Sequence, residues 1–119
     1  MKYSELIVWQ KAMDLVTDIY KVTAMFPGEE RFGLSSQARR AAVSIPSNIA
    51  EGHGRKSTAA YMSYLSIAFG SLMELETQIQ IAARLGYLDE GKVITLLVQT
   101  DEIGKMLSGL KQSLADKLD

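Results

Sequence analysis

The segment from Arg39 to Ser57, RRAAVSIPSNIAEGHGRKS, constrains the fold of this chain more than any other stretch. Ala38, Ala41, Ala42, Ile45 and Ile49 recur at helical spacing, so a stripe of small apolar residues runs through it. Pro46 interrupts the stripe, withholding one backbone donor and pressing its ring toward the carbonyl of Ala42. The pattern predicts a buried helix bent at Pro46, whose alanines let a neighbouring helix approach closely. Gly52 and Gly54 then lead the chain out of it.

Three more helices follow from the same periodicity. A first helix runs from about Glu5 to Met25 and carries two adjacent apolar stripes. One is Leu6, Trp9, Met13, Val16 and Tyr20; the other is Val8, Ala12, Leu15, Ile19, Val22 and Phe26. Together they exceed what one core face needs. Pro27-Gly28 ends this helix, and Ser35 or Ser36 is placed to cap the second. The third begins after Ser57 or Thr58 and holds a heptad-like stripe of Tyr61, Leu65, Ala68, Leu72, Leu75, Ile79 and Ala82, with Gly86 as its C-terminal stop. The fourth is capped by Asp89, with Leu88 and Val93 as a hydrophobic staple, and its stripe runs from Val93 and Leu96 to Leu118. Short connections and an absence of alternating patterns predict an all-α protein, an up-down-up-down antiparallel four-helix bundle forming one domain over residues 1–119. The surplus stripe on the first helix, with Met62, Tyr64, Phe69 and Met73, predicts a second buried surface and hence a homo-oligomer.

Composition narrows the function classes. The chain has 47% hydrophobic and 23% charged residues, so it is neither disordered nor membrane-embedded in character. No apolar run approaches the roughly 20 residues of a membrane span, and the N-terminus MKYSELIVWQK lacks a signal-peptide pattern, which predicts a cytoplasmic protein with no membrane partner. With no cysteine, disulfides and thiolate chemistry are excluded. A net charge of −1 argues against coating nucleic acid by bulk electrostatics. The charge is nevertheless uneven: Arg31, Arg39, Arg40, Arg55 and Lys56 outnumber Glu29, Glu30 and Glu51 in the middle of the chain, whereas acidic residues prevail after residue 60.

Catalytic chemistry finds little support. The one histidine, His53, lies in a glycine-flanked turn, and Ala50 stands three residues before it, so the Glu-x-x-His pair of di-iron bundles is missing. GHGRKS lacks the Gly-Lys-Ser order and preceding strand of a phosphate loop. Arg55 and Lys56 beside the third helix's N-terminus could attract one phosphate, or simply keep the turn solvated. Glu51, Glu74 and Asn48 are placed to pair with Arg39 or Arg40 in a network fixing helix register. The reading is a non-enzymatic protein with no metal or cofactor.

The blocks LIVWQKAMDL, FPGEERFGLSSQARRAAVSIPSNIAEGHGRKS and LSIAFGSLMELETQIQIAARLGYL resemble the 23S rRNA-intervening-sequence proteins, a four-helix bundle family, over residues 6–88. That family also includes the accessory variability determinant proteins of diversity-generating retroelements. The resemblance implies a bacterial protein that assembles as a ring-shaped homopentamer. It further implies an accessory role beside RNA or a nucleic-acid-processing protein, because the retroelement members bind nucleic acid and their reverse transcriptase through a basic surface. Carried over residue by residue, the candidate nucleic-acid contacts are Arg39, Arg40, Arg55 and Lys56. This chain departs from the retroelement members in being slightly acidic, which favours an alternative: a protein-interaction scaffold with no nucleic-acid role.

Overall fold

The computed structural model describes residues 1–118, in which helices α1 (Ile7–Thr23), α2 (Leu34–His53), α3 (Thr58–Arg84) and α4 (Glu90–Asp116) are joined by short connections. Two single 3-10 turns, Tyr3–Glu5 and Gly28–Glu30, precede α1 and α2. No strand occurs among the described residues. Each helix packs antiparallel on its sequence neighbours and α1 closes the ring on α4, which makes a four-helix bundle of 49 × 23 × 20 Å. The α2–α3 contact is the most extensive and α1–α4 the least.

Most helix ends follow local signals. Ser57 Oγ accepts the Ala60 N–H at 3.1 Å, and Asp89 Oδ1 accepts the Lys92 N–H at 2.8 Å, so both expected N-caps are in place. Gly86, at φ +79°, ends α3 in a left-handed conformation. The Tyr87 N–H then reaches the Ala82 carbonyl at 2.9 Å and the Gly86 N–H reaches Ala83 at 3.1 Å, which is a Schellman closure. Leu88 and Val93 both join the core, as a staple requires.

The start of α2 differs from expectation. Neither Ser35 nor Ser36 caps it: Ser35 is buried within the first turn, and Gly33 occupies the cap position with no side-chain acceptor. Glu30 supplies the acceptor instead, taking the Leu34 N–H on Oε1 at 3.1 Å. That bond sets the carboxylate at the N-terminus of α2, where the helix dipole favours negative charge. Oε2 of the same carboxylate accepts the Tyr87 hydroxyl at 2.9 Å, while Phe26 packs against the Tyr87 ring at 5.4 Å. One side chain thus ties the α1–α2 connection to the α3–α4 turn.

The core consists of one stripe from each helix. On α1 it is Val8, Ala12, Leu15 and Ile19, so the second of the two candidate stripes faces inward. Of the first stripe, Leu6, Trp9 and Val16 pack along the core's edge, while Met13 and Tyr20 are exposed. Met62 and Phe69 are half-buried against the core; Leu118, beyond the end of α4, is exposed and drops out of its stripe. Helix α2 continues through Pro46, which is buried. The proline withholds the donor that would meet the Ala42 carbonyl; two residues on, Asn48 Nδ2 donates to the Ser44 carbonyl at 2.8 Å and to Ser44 Oγ at 3.0 Å, and Ser44 Oγ pairs with Ser71 Oγ of α3 at 2.8 Å. The two helices approach closely at Gly52, where a Cβ would stand 2.7 Å from Tyr64 Cβ.

Candidate functional site

The four candidate basic residues do not form one patch. Arg39 and Arg40 lie in the N-terminal half of α2, and Arg55 and Lys56 follow its C-terminus. Thirteen residues of helical rise, about 20 Å, separate Arg40 from His53 at the end of α2, and Arg55 lies two residues beyond.

At the far end, Arg55 donates to the Tyr64 hydroxyl and its guanidinium lies 4.8 Å from the Tyr64 ring centroid. This contact closes the turn onto α3. His53 packs edge-on to Tyr61 at 5.8 Å, and burial pushes the Tyr61 hydroxyl pKa up. The GHGRKS segment is therefore a turn into α3, with Gly52 buried and Gly54 to Ser57 exposed.

Near the α1–α2 connection the arrangement is different. Arg39 Nε donates to Thr23 Oγ1 at 2.8 Å and Nη2 to the Tyr20 carbonyl at 3.2 Å, while its guanidinium covers the Tyr20 ring at 4.5 Å. Thr23 in turn donates to the Ile19 carbonyl at 2.6 Å, so Arg39 satisfies the last turn of α1, where helix carbonyls carry partial negative charge. The expected pairing of Glu51, Glu74 and Asn48 with Arg39 or Arg40 does not form. Arg39 is drawn to α1, Asn48 turns back on Ser44, and neither arginine meets a carboxylate within 4.0 Å among the described residues.

Arg39 and Arg40 share a surface groove of about 590 Å³ with Arg31 and Phe32 of the α1–α2 connection and with Tyr20, Ser36 and Val43. Three arginines line it, and none of the described residues lining it is acidic. Phe32 is 87% exposed, with the Arg31 guanidinium 5.2 Å from its ring centroid. Arg31 and Phe32 escaped the sequence reading. The available signal was an arginine-phenylalanine pair in a short, otherwise acidic connection, outside any helical stripe.

Two other surface features frame this groove. Beside it along α1 and α2, Tyr3, Trp9, Met13, Val16, Val43 and Pro46 line a mainly apolar depression of about 320 Å³. Across the bundle, a polar seam between α1 and α4 holds a Lys11–Glu102 ion pair and a 3.0 Å hydrogen bond from Gln99 Nε2 to Asp18 Oδ2. Hydrogen bonding to Glu102 raises the Lys11 pKa. No group of three or more His, Asp or Glu side chains is placed to hold a metal ion among the described residues.

The family model of the 23S rRNA-intervening sequence proteins matches residues 4–109. The chain belongs to that family. A solved structure from Bacteroides thetaiotaomicron, described as a protein of unknown function from the S23 ribosomal protein family, has 25% sequence identity to it. The two superpose with a TM-score of 0.80 over 88% of this chain and 98% of that one. No curated protein matches the chain. Among the described residues, no helix is long and apolar enough to cross a membrane.

Proposed function

We propose that this member of the 23S rRNA-intervening sequence protein family is a non-enzymatic, homo-oligomeric bundle acting in the cytoplasm as an RNA- or ribonucleoprotein-associated accessory protein. The observation that carries the RNA reading is the groove of Arg31, Arg39 and Arg40, a local positive surface on a chain of net charge −1. Guanidinium groups suit phosphate recognition because their planar donor fork matches phosphate oxygens. Filter binding against structured RNA at low and moderate salt tests the reading. Binding at low salt that weakens as salt rises supports it, because phosphate contacts release counterions. No binding at low salt refutes it.

Oligomerisation is supported by the apolar depression at Trp9, Met13 and Val43 and by exposed Ile67, Ile81, Ile94 and Val98 on α3 and α4. A pentamer is the assembly that the family resemblance implies. Light scattering on the purified chain gives the mass directly: five subunits are expected, and a monomer overturns the proposal. The acidic excess after residue 60 favours the second reading, a protein-binding scaffold. Under that reading RNA binding is absent, and a defined partner protein stays bound after nuclease treatment.

A further inference from the structure

Phe32 is the least expected residue on this surface. It stands between the Gly28–Glu30 turn and α2, yet 87% of its surface faces solvent. An exposed large aromatic inside a cluster of cations is an informative departure from ordinary surface composition. Arg31 approaches its ring, and Arg39 and Arg40 line the same groove. Arg39 is committed to Tyr20 and Thr23, which leaves Arg31 and Arg40 as the guanidinium groups with no hydrogen-bond or carboxylate partner among the described residues.

We propose that this groove recognises an unpaired nucleotide in single-stranded RNA, with the base stacked on Phe32 and the flanking phosphates on Arg31 and Arg40. The inference rests on the RNA-associated reading and specifies its site and the class of nucleic acid. Three features favour a single strand over a duplex. A stacking platform reaches only a base that has left its own stack. Arg31, Arg39 and Arg40 share one groove, and Arg55 and Lys56 lie apart beyond the far end of α2, whereas a duplex presents phosphates along an extended surface. The Ser36 hydroxyl adds a hydrogen-bonding group to the groove, suited to a base edge or a ribose. An acidic peptide would satisfy the arginines but would leave the exposed ring without a role.

The test is fluorescence anisotropy with a labelled mixed-sequence 12-nucleotide RNA, alone and annealed to its complement, against the full chain at low salt. The single strand is expected to bind more tightly than the duplex. Phe32→Ala should weaken it about tenfold, and Phe32→Tyr should restore it, because stacking on any aromatic is largely sequence-tolerant. Arg40→Gln should weaken binding and reduce the slope of log affinity against log salt by about 0.7. Both altered side chains are exposed, so the variants should fold, and circular dichroism verifies it. Tight duplex binding unaffected by Phe32→Ala would overturn this site while leaving the RNA-associated reading intact. Absence of binding to any RNA would overturn both. Stronger binding of a poly-glutamate peptide than of RNA, or a Phe32→Ala variant that changes the oligomer mass but not RNA affinity, would assign the groove to a protein contact and refute the proposal.

Discussion

Replacing Gly52 with alanine probes the packing that holds α2 to α3. A Cβ built there stands 2.7 Å from Tyr64 Cβ, 3.0 Å from Tyr61 Cδ1 and 3.3 Å from the Tyr61 carbonyl oxygen. Ordinary carbon contacts lie near 3.5–4.0 Å, so the shortfall at Tyr64 is about 1 Å. Tyr64 Cβ is fixed to its backbone and cannot rotate away, and the carbonyl belongs to the helix itself. Relief requires the two helices to part, and overpacking of this kind costs about 3 kcal/mol at the upper end of its usual range. Removing a helical glycine returns about 0.5–1 kcal/mol through the unfolded chain. The net expectation for Gly52→Ala is a loss of about 2 kcal/mol, or about 8 °C in melting temperature for a chain of this size. Gly109 is the control: it lies within α4 with nothing within 4 Å of its built Cβ. Gly109→Ala should therefore raise the melting temperature by about 2–4 °C. Thermal melts followed by circular dichroism, at one protein concentration because assembly shifts apparent stability, read both. A Gly52→Ala protein melting at or above the parent would refute the close-packing argument, as would equal shifts for the two variants.

Two further outcomes concern the helix ends. Hydrogen bonds from the Lys92 backbone and side chain hold the Asp89 carboxyl below the usual carboxylate range, so its capping contribution is full above that range and fades as pH falls through the depressed value. Asp89→Ala should lower the melting temperature at neutral pH by about 4 °C and Asp89→Asn by much less, and the difference between Asp and Asn should vanish in acid. The hydrogen bond to Glu30 raises the Tyr87 pKa, so its contribution to stability is complete below the ordinary tyrosine range and is lost as pH climbs from that range through the raised value. Ultraviolet titration should show Tyr87 ionising late among the five tyrosines, and Glu30→Gln should move it earlier; an unchanged curve would contradict the clamp.

Features read correctly from sequence were those whose cause lies within a few residues. Ser57 and Asp89 cap their helices with donors three residues ahead, and Gly86 takes up the left-handed stop within one turn. The α3 stripe works the same way, since a period of 3.6 commits Leu65, Ala68, Leu72, Leu75, Ile79 and Ala82 to one face. The start of α2 failed that logic because its acceptor, Glu30, precedes the helix and is steadied by Tyr87, 57 residues away. Arg39 failed it too. It was expected to pair with Glu51, Glu74 or Asn48, whereas its donors end on Tyr20 and Thr23 of another helix.

The α1 stripes show where the division falls. Periodicity alone determined that α1 is a helix with two apolar faces, because side-chain spacing around a helix is a property of the chain itself. It did not decide between Val8-Ala12-Leu15-Ile19 and Trp9-Met13-Val16-Tyr20, since both satisfy the same period. Tertiary structure decided it, turning the first set into the core and leaving Met13 and Tyr20 on the outside. The same packing gathers Arg31, Phe32, Arg39 and Arg40 around one groove. Local pattern fixes what each helix is; only the rotation and register of helices against one another decide which charges and rings share a surface.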